Sequence, residues 1–186
     1  LNCTAASLRI ECCCCDCRRA ALWAAEQGGT VCETVPCDLT YWPNDLEVVR
    51  GGDKLEACAL NARFRSCRVF ATCCNTGLLV DHPAYKGAVV MAYRECTVDG
   101  ELPAPAFRDD VRDLPEPLLA TLPAAACPTI SPPGHPNHEA DQAHAAPFAA
   151  ATAQAPTTDG ETVQRLIGRL IGRLGSVRVL DVPVGF

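Results

Sequence analysis

No run of the chain approaches the roughly 20 apolar residues that a bilayer-spanning helix needs, so no membrane-spanning helix is expected. The first twenty residues lack the apolar core of a secretory signal, and a cytoplasmic location is expected. Basic residues are also in deficit: 16 Lys and Arg against 22 Asp and Glu leave a formal charge of −6, which removes the basis for a non-specific grip on nucleic acid or an anionic membrane. No glycine-rich phosphate loop and no Ser/His/Asp arrangement stands out by spacing. At 186 residues the chain suits one core with an appendage.

What the chain does have is cysteine, 14 residues in all. Five of them fall in residues 12–17, Cys-Cys-Cys-Cys-Asp-Cys, and their clustering is unlike a secreted disulfide framework. Adjacent cysteines pair poorly, because one trans peptide sets their Cα atoms about 3.8 Å apart, below the usual disulfide range. Within the run, Cys12, Cys14 and Cys17 form a Cys-x-Cys-x-x-Cys frame, and ligands two and three residues apart converge on one ion from a single turn. Thiolate is the soft ligand that zinc or an iron–sulfur cluster prefers. A shifted set using Cys13 or Cys15 is the alternative. Three cysteinates on Zn²⁺ leave one tetrahedral position open and a net charge of −1, which suits thiol exchange better than water activation.

The fold expected is mostly β. Short runs at 7–11, 46–50, 62–66 and 88–93 read as strands, separated by turn formers at Gly28-Gly29, Pro43-Asn44-Asp45 and Gly51-Gly52-Asp53. Arg18 to Glu26 reads as a short helix directly after the cysteine run, its N-terminus aimed at the thiolates. Residues 103–159 turn to Pro and Ala, and 123–159 in particular reads as a disordered linker. Glu161 to Leu174 reads as an amphipathic helix, with Val163, Leu166, Ile167, Leu170, Ile171 and Leu174 on one face and Arg165, Arg169 and Arg173 on another. It docks on the core or else mediates self-association or a membrane-surface contact, and Gly168 and Gly172 permit a close helix approach. Val177 to Val184 reads as a short strand-like tail. The expected divisions are a zinc-binding domain at 1–110, a linker at 111–159 and a helix with a short tail at 160–186.

A second cluster, Cys73-Cys74-Asn75-Thr76, follows the strand-like residues 63–70. Together with the first frame, Gly28-Gly29-Thr30 and Gly51-Gly52-Asp53-Lys54-Leu55, the order of elements over residues 8–98 resembles the GFA family, which includes the glutathione-dependent formaldehyde-activating enzyme and centromere protein V. The Cys-Cys-Asn-Thr form resembles an uncharacterised side branch of that family. The resemblance implies an Mss4-like zinc-binding β domain and a carbon–sulfur lyase acting on adducts of an aldehyde such as formaldehyde with a small thiol such as glutathione. It implies that Cys12, Cys14 and Cys17 hold the working zinc and that Cys74, with neighbouring Cys73, belongs to a second, structural zinc. The family's other structural cysteine at the position of Ala71 is missing, and of its upstream Cys-x-Cys-Gly only Cys3 is found, so a missing N-terminal arm, a lost second site or a decayed gene product is expected.

Arg18 and Arg19 are candidates to offset the charge of the centre or to grip a substrate carboxylate, the plainer reading being solvated helix residues. His82 reads as a turn residue. His135, His138 and His144 read as solvated linker, and Cys32, Cys37, Cys58, Cys67, Cys96 and Cys127 as small buried hydrophobes or incidental thiols. Trp23, Tyr41 and Trp42 read as core. The alternative function is a non-catalytic zinc scaffold or interaction module, with homo-oligomerisation through the 161–174 helix.

Overall fold

A computed structural model describes residues 6, 8–29, 35–62, 65–94, 102–130, 146–153 and 161–180. The architecture is one mixed sheet of eight strands with helices on both faces, a mostly β domain. The strands are β1 (Leu8–Cys12), β2 (Cys37–Pro43), β3 (Leu55–Ala59), β4 (Cys67–Ala71), β5 (Thr76–Asp81), β6 (Val89–Tyr93), β7 (Arg108–Asp109) and β8 (Arg178–Val179). Their order across the sheet is β7-β1-β2-β6-β5-β4-β3-β8, antiparallel throughout except for the two short edge strands. All five residues of β6, Val-Val-Met-Ala-Tyr, are buried, as a central strand covered on both faces requires.

Alternation along the strands sorts the two faces. Leu8, Ile10 and Cys12 lie opposite Tyr41, Leu39 and Cys37, and the same face continues through Met91, Tyr93 and Val80 to Arg68. Helix α1 (Cys15–Glu26) and helix α3 (Ala146–Ala153) cover this face, with Cys17, Phe148 and Ala151 joining its core. The other face, including Val69, Leu79, Val90 and Ala92, is covered by helix α4 (Val163–Leu174), which buries Val163, Leu166, Ile167 and Leu170. The apolar stripe read from the sequence is therefore used within the chain. Thr162 caps the helix by accepting from Arg165 N, and Gly175 closes it at φ 80°. Gly168 and Gly172 face open space, so among the described residues no element makes the close approach they would permit.

Several expectations need correction. Leu46 forms only an isolated bridge to Glu161, and no strand runs over 46–50. The strand expected at 62–66 begins instead at Cys67, after a turn at Ala62 and bends at Arg65 and Ser66. Of the described residues in the expected linker, Ile130 and Ala151 are buried in the core against the sheet. Helix α2 (Glu116–Thr121) forms there, and Ile130 is buried, with its N–H donating to Arg108 O. Arg108 gathers this segment: its side chain donates to Pro123 O at 2.7 Å and pairs with Glu11, while its N–H donates to Pro128 O. Phe148 on α3 packs edge-on against Tyr41 at 5.4 Å and, with the buried Ala151, seats an alanine-rich helix on the sheet. His135, His138, His144, Cys3, Cys32, Cys96 and residues 181–184 of the tail lie outside the described residues. Among those described, no helix is long and apolar enough to cross a membrane.

Candidate metal centre

The chain leaves the sheet at Cys12 and enters α1 at Cys15, and this junction builds the site. Cys14 is the N-cap of α1, its Sγ accepting from Cys17 N at 3.3 Å, while Cys12 Sγ lies 3.5 Å from Cys14 N. A thiol thus fills the capping role usually taken by a Ser, Thr, Asp or Asn oxygen. The sulfurs of Cys12, Cys14 and Cys17 all lie within 4.8 Å of one another. Sulfurs about 2.3 Å from a tetrahedral zinc stand about 3.8 Å apart, so this set is close enough to bind a metal ion with little adjustment. Cys13 is fully buried and Cys15 half-buried, and neither joins the group of sulfurs formed by Cys12, Cys14 and Cys17.

Without metal the three sulfurs share protons unequally. Hydrogen bonds from Cys12 and then Cys14 hold the Cys17 thiol well below its ordinary range, with the Arg68 charge assisting. Cys12 is pushed up by its bonds to Cys14 and Cys17 and by burial. Cys14, although its bond with Cys12 favours the thiolate, is pushed up to about 12 by Cys17 and by burial. Three thiolates this close repel one another, so a cation is needed for all three to ionise together.

Arg68 was not a sequence candidate. Only 2 % exposed, it lies on the side of β4 that shares the sheet face of Cys12 and donates to Ser66 Oγ at 2.8 Å. Its Nε and the Tyr93 hydroxyl have no hydrogen-bond partner among the described residues. All three tyrosines of the chain, Tyr41, Tyr85 and Tyr93, are buried in the cluster that contains Cys12 and Cys17. Tyr41 and Tyr85 meet edge-on at 5.3 Å. At the rim, burial followed by the nearby Asp109 and Cys14 charges raises the Asp110 carboxyl to about 7. Asp113 accepts from Cys15 N at 3.4 Å. The one hint of Arg68 in the sequence is a lone charge inside the apolar run Cys67–Ala71.

Other candidates fall elsewhere. Arg18 is buried and donates to Cys13 O and Asp113 O, which rules out a solvated role, while Arg19 lies 3.9 Å from Asp16. Cys73 and Cys74 sit exposed on the β4–β5 turn with their sulfurs 3.9 Å apart, and belong to no group of three ligands among the described residues. Cys74 Sγ lies 3.2 Å from Thr76 Oγ1, whose hydroxyl lowers the thiol's pKa. This turn touches the first site's helix: Asn75 Nδ2 donates to Gln27 O at 3.0 Å. His82 Nδ1 accepts from Ala84 N, a turn role as read. Trp23 is core, edge-on to Phe70 at 5.2 Å.

No protein-family model matches the chain, and no curated protein or solved structure matches it.

Proposed function

We propose that this chain is a zinc protein of the GFA type with an Mss4-like β domain. In this reading Cys12, Cys14 and Cys17 hold the ion and the centre joins or separates a small thiol, such as glutathione, and an aldehyde, such as formaldehyde. The observation that carries the reading is the convergence of three cysteine sulfurs within 4.8 Å at a strand-to-helix junction. The bound ion supplies Lewis acidity that keeps a fourth, incoming thiol ionised at neutral pH.

The chain's own residues supply the rest. Asp110, a rim carboxyl that exchanges its proton near neutrality, takes the thiol proton and returns it to the carbonyl oxygen as the carbon–sulfur bond forms; cleavage runs the same path backwards. Arg68 offsets the surplus negative charge of three thiolates from below, in a position where its charge favours the Cys17 thiolate. The buried rings of Tyr41 and Tyr85 exclude water from the inner side.

The test is metal content per chain after purification under reducing conditions, followed by glutathione consumption in the presence of formaldehyde. About one zinc and a zinc-dependent rate are expected. A loaded protein inactive over a range of thiols and aldehydes sinks the lyase reading. The second reading, a non-catalytic zinc scaffold, draws support from the burial of Cys12 and Cys17, each 6 % exposed, which sets the ion inside the core.

A further inference from the structure

The site at Cys12, Cys14 and Cys17 leaves the second cysteine pair without a role, and the fold places that pair differently from the other thiols. Of the described cysteines only Cys73 and Cys74 are exposed, and both are free. They stand on the turn between β4 and β5 with their sulfurs in contact at 3.9 Å. The turn is held from two sides. Thr72 N donates to Lys54 O at 2.8 Å, and Asn75 Nδ2 donates to Gln27 O at 3.0 Å, at the C-terminal end of α1. Asn75 itself adopts a left-handed φ of 53°. Two thiols are thereby presented side by side to solvent on an anchored turn.

Such a pair suits oxidation chemistry. A peroxide reaches an exposed thiol before a buried one, and the sulfenic acid it forms is captured by the nearest thiol, which here is the adjacent residue. Thr76 Oγ1 lies 3.2 Å from Cys74 Sγ, within reach to hydrogen-bond the thiolate, the form that attacks a peroxide. Among the described residues no third ligand joins Cys73 and Cys74 to make a metal site. Adjacent Cα atoms, about 3.8 Å apart, lie below the usual disulfide range, so a disulfide closed here is strained and reopens readily. The same geometry that argues against a permanent crosslink favours a reversible one.

We propose that Cys73 and Cys74 are a site of reversible oxidation by hydroperoxides, with Cys74 attacking the peroxide and Cys73 resolving the product. The Cys74 thiolate attacks one peroxide oxygen; the S–O bond forms, the O–O bond breaks, and the other oxygen leaves as water or an alcohol with the proton that Cys74 gave up. Cys73 then attacks the sulfenic sulfur. The S–S bond forms, and the hydroxyl departs as water with the Cys73 proton. The two thiols lose two electrons and the hydroperoxide gains them, and a small thiol in excess restores the pair by exchange. Neither step involves Cys12, Cys14 or Cys17, so the chemistry does not depend on a metal there.

The test treats the full, freshly reduced chain with hydrogen peroxide and alkylates the remaining thiols after unfolding. Trypsin, cutting after Arg68 and Lys86, releases residues 69–86, in which Cys73 and Cys74 are the only cysteines. This peptide is expected to take up no alkyl group and to be lighter by two hydrogens, with both alkylation sites restored when dithiothreitol precedes the reagent. In Cys73→Ser the sulfenic acid is expected to persist at Cys74 and to be trapped by dimedone. Two alkyl groups on the parent peptide after peroxide overturn the proposal, as does a disulfide from either residue to another peptide. Equally fast oxidation in urea overturns it too, because the folded turn then contributes nothing. Dimedone uptake at Cys73 in Cys74→Ser that matches uptake at Cys74 in Cys73→Ser overturns the assignment of Cys74 as the attacking thiol. Peptide mapping of the parent needs no variant, so a variant that fails to fold leaves the test intact.

Discussion

Asn44 Oδ1 accepts the backbone N–H of Val163 at 2.7 Å, joining the loop after β2 to the first turn of α4, 119 residues later. Asn44 is fully buried, and its Nδ2 donates to both Gly87 O and Gln164 Oε1 at 2.8 Å. Asn44→Ala strands the Val163 N–H and the Gly87 carbonyl in the interior. A loss of about 2–4 kcal/mol is expected in denaturant unfolding. A change below about 0.5 kcal/mol means that α4 is not held at this point.

Gly168 and Gly172 of α4 face open space and lack the positive φ that favours glycine. Replacing each with Ala is expected to stabilise the chain by about 0.5–1 kcal/mol, since alanine loses less backbone freedom in a helix. Size-exclusion chromatography of the double variant supplies the second readout. A change in oligomeric state accompanied by lost stability shows a helix interface that uses these glycines.

Gly29 lies against the turn that carries the second cysteine cluster: a Cβ there would stand 2.6 Å from Asn75 O and 2.8 Å from Cys74 O. Both obstacles are main chain. Gly29→Ala is expected to push the turn away from α1 and cost about 2–3 kcal/mol. A melt unchanged by the substitution shows that the turn gives way freely.

How much of this was legible beforehand depends on distance along the chain. The frame of Cys12, Cys14 and Cys17 is local, so spacing alone revealed it. The stripe of α4 was equally readable, because its period of 3.6 is written in consecutive residues. The start of α1 was placed three residues late, at Arg18 instead of Cys15, because a cysteine serves there as the N-cap. Arg68 and Tyr93 reach the site through strand register, which no local pattern encodes. The Pro/Ala-rich stretch misled for a related reason: Arg108, Ile130 and Phe148 are few, but each is fixed by partners far away.

Asp110 gives a pH test. Burial first, then Asp109, raises its carboxyl from an ordinary 3.8 to about 7. Between those values the folded chain keeps a proton that the unfolded chain has lost, so this residue's contribution to stability falls as pH rises through that window. Asn tolerates the left-handed φ of 57° found here. Asp110→Asn is therefore expected to melt like the parent near pH 4 and to gain about 1–2 kcal/mol over it above pH 7, after allowance for solvent screening at a partly exposed group. An advantage independent of pH contradicts the raised carboxyl.

Metal removal gives the last prediction. Chelation of the reduced, zinc-loaded chain is expected to lower the melting temperature by more than 10 °C, on the order expected for several kcal/mol of binding energy linked to folding. Cys14→Ser removes a ligand and leaves a hydroxyl to cap α1, so it is expected to melt near the chelated parent and to respond little to added zinc. A variant that still gains the full zinc shift locates the ion elsewhere.

The confinement of every tyrosine to the face that carries the cysteines has an optical consequence. Ring asymmetry in Tyr41, Tyr85 and Tyr93 arises from packing beside Cys12 and Cys17, whereas the α4 side contains no tyrosine at all. The near-ultraviolet circular dichroism of tyrosine is thus a built-in gauge of one half of the molecule, and it allows loosening of the cysteine-bearing side to be followed separately from undocking of α4 without any added label.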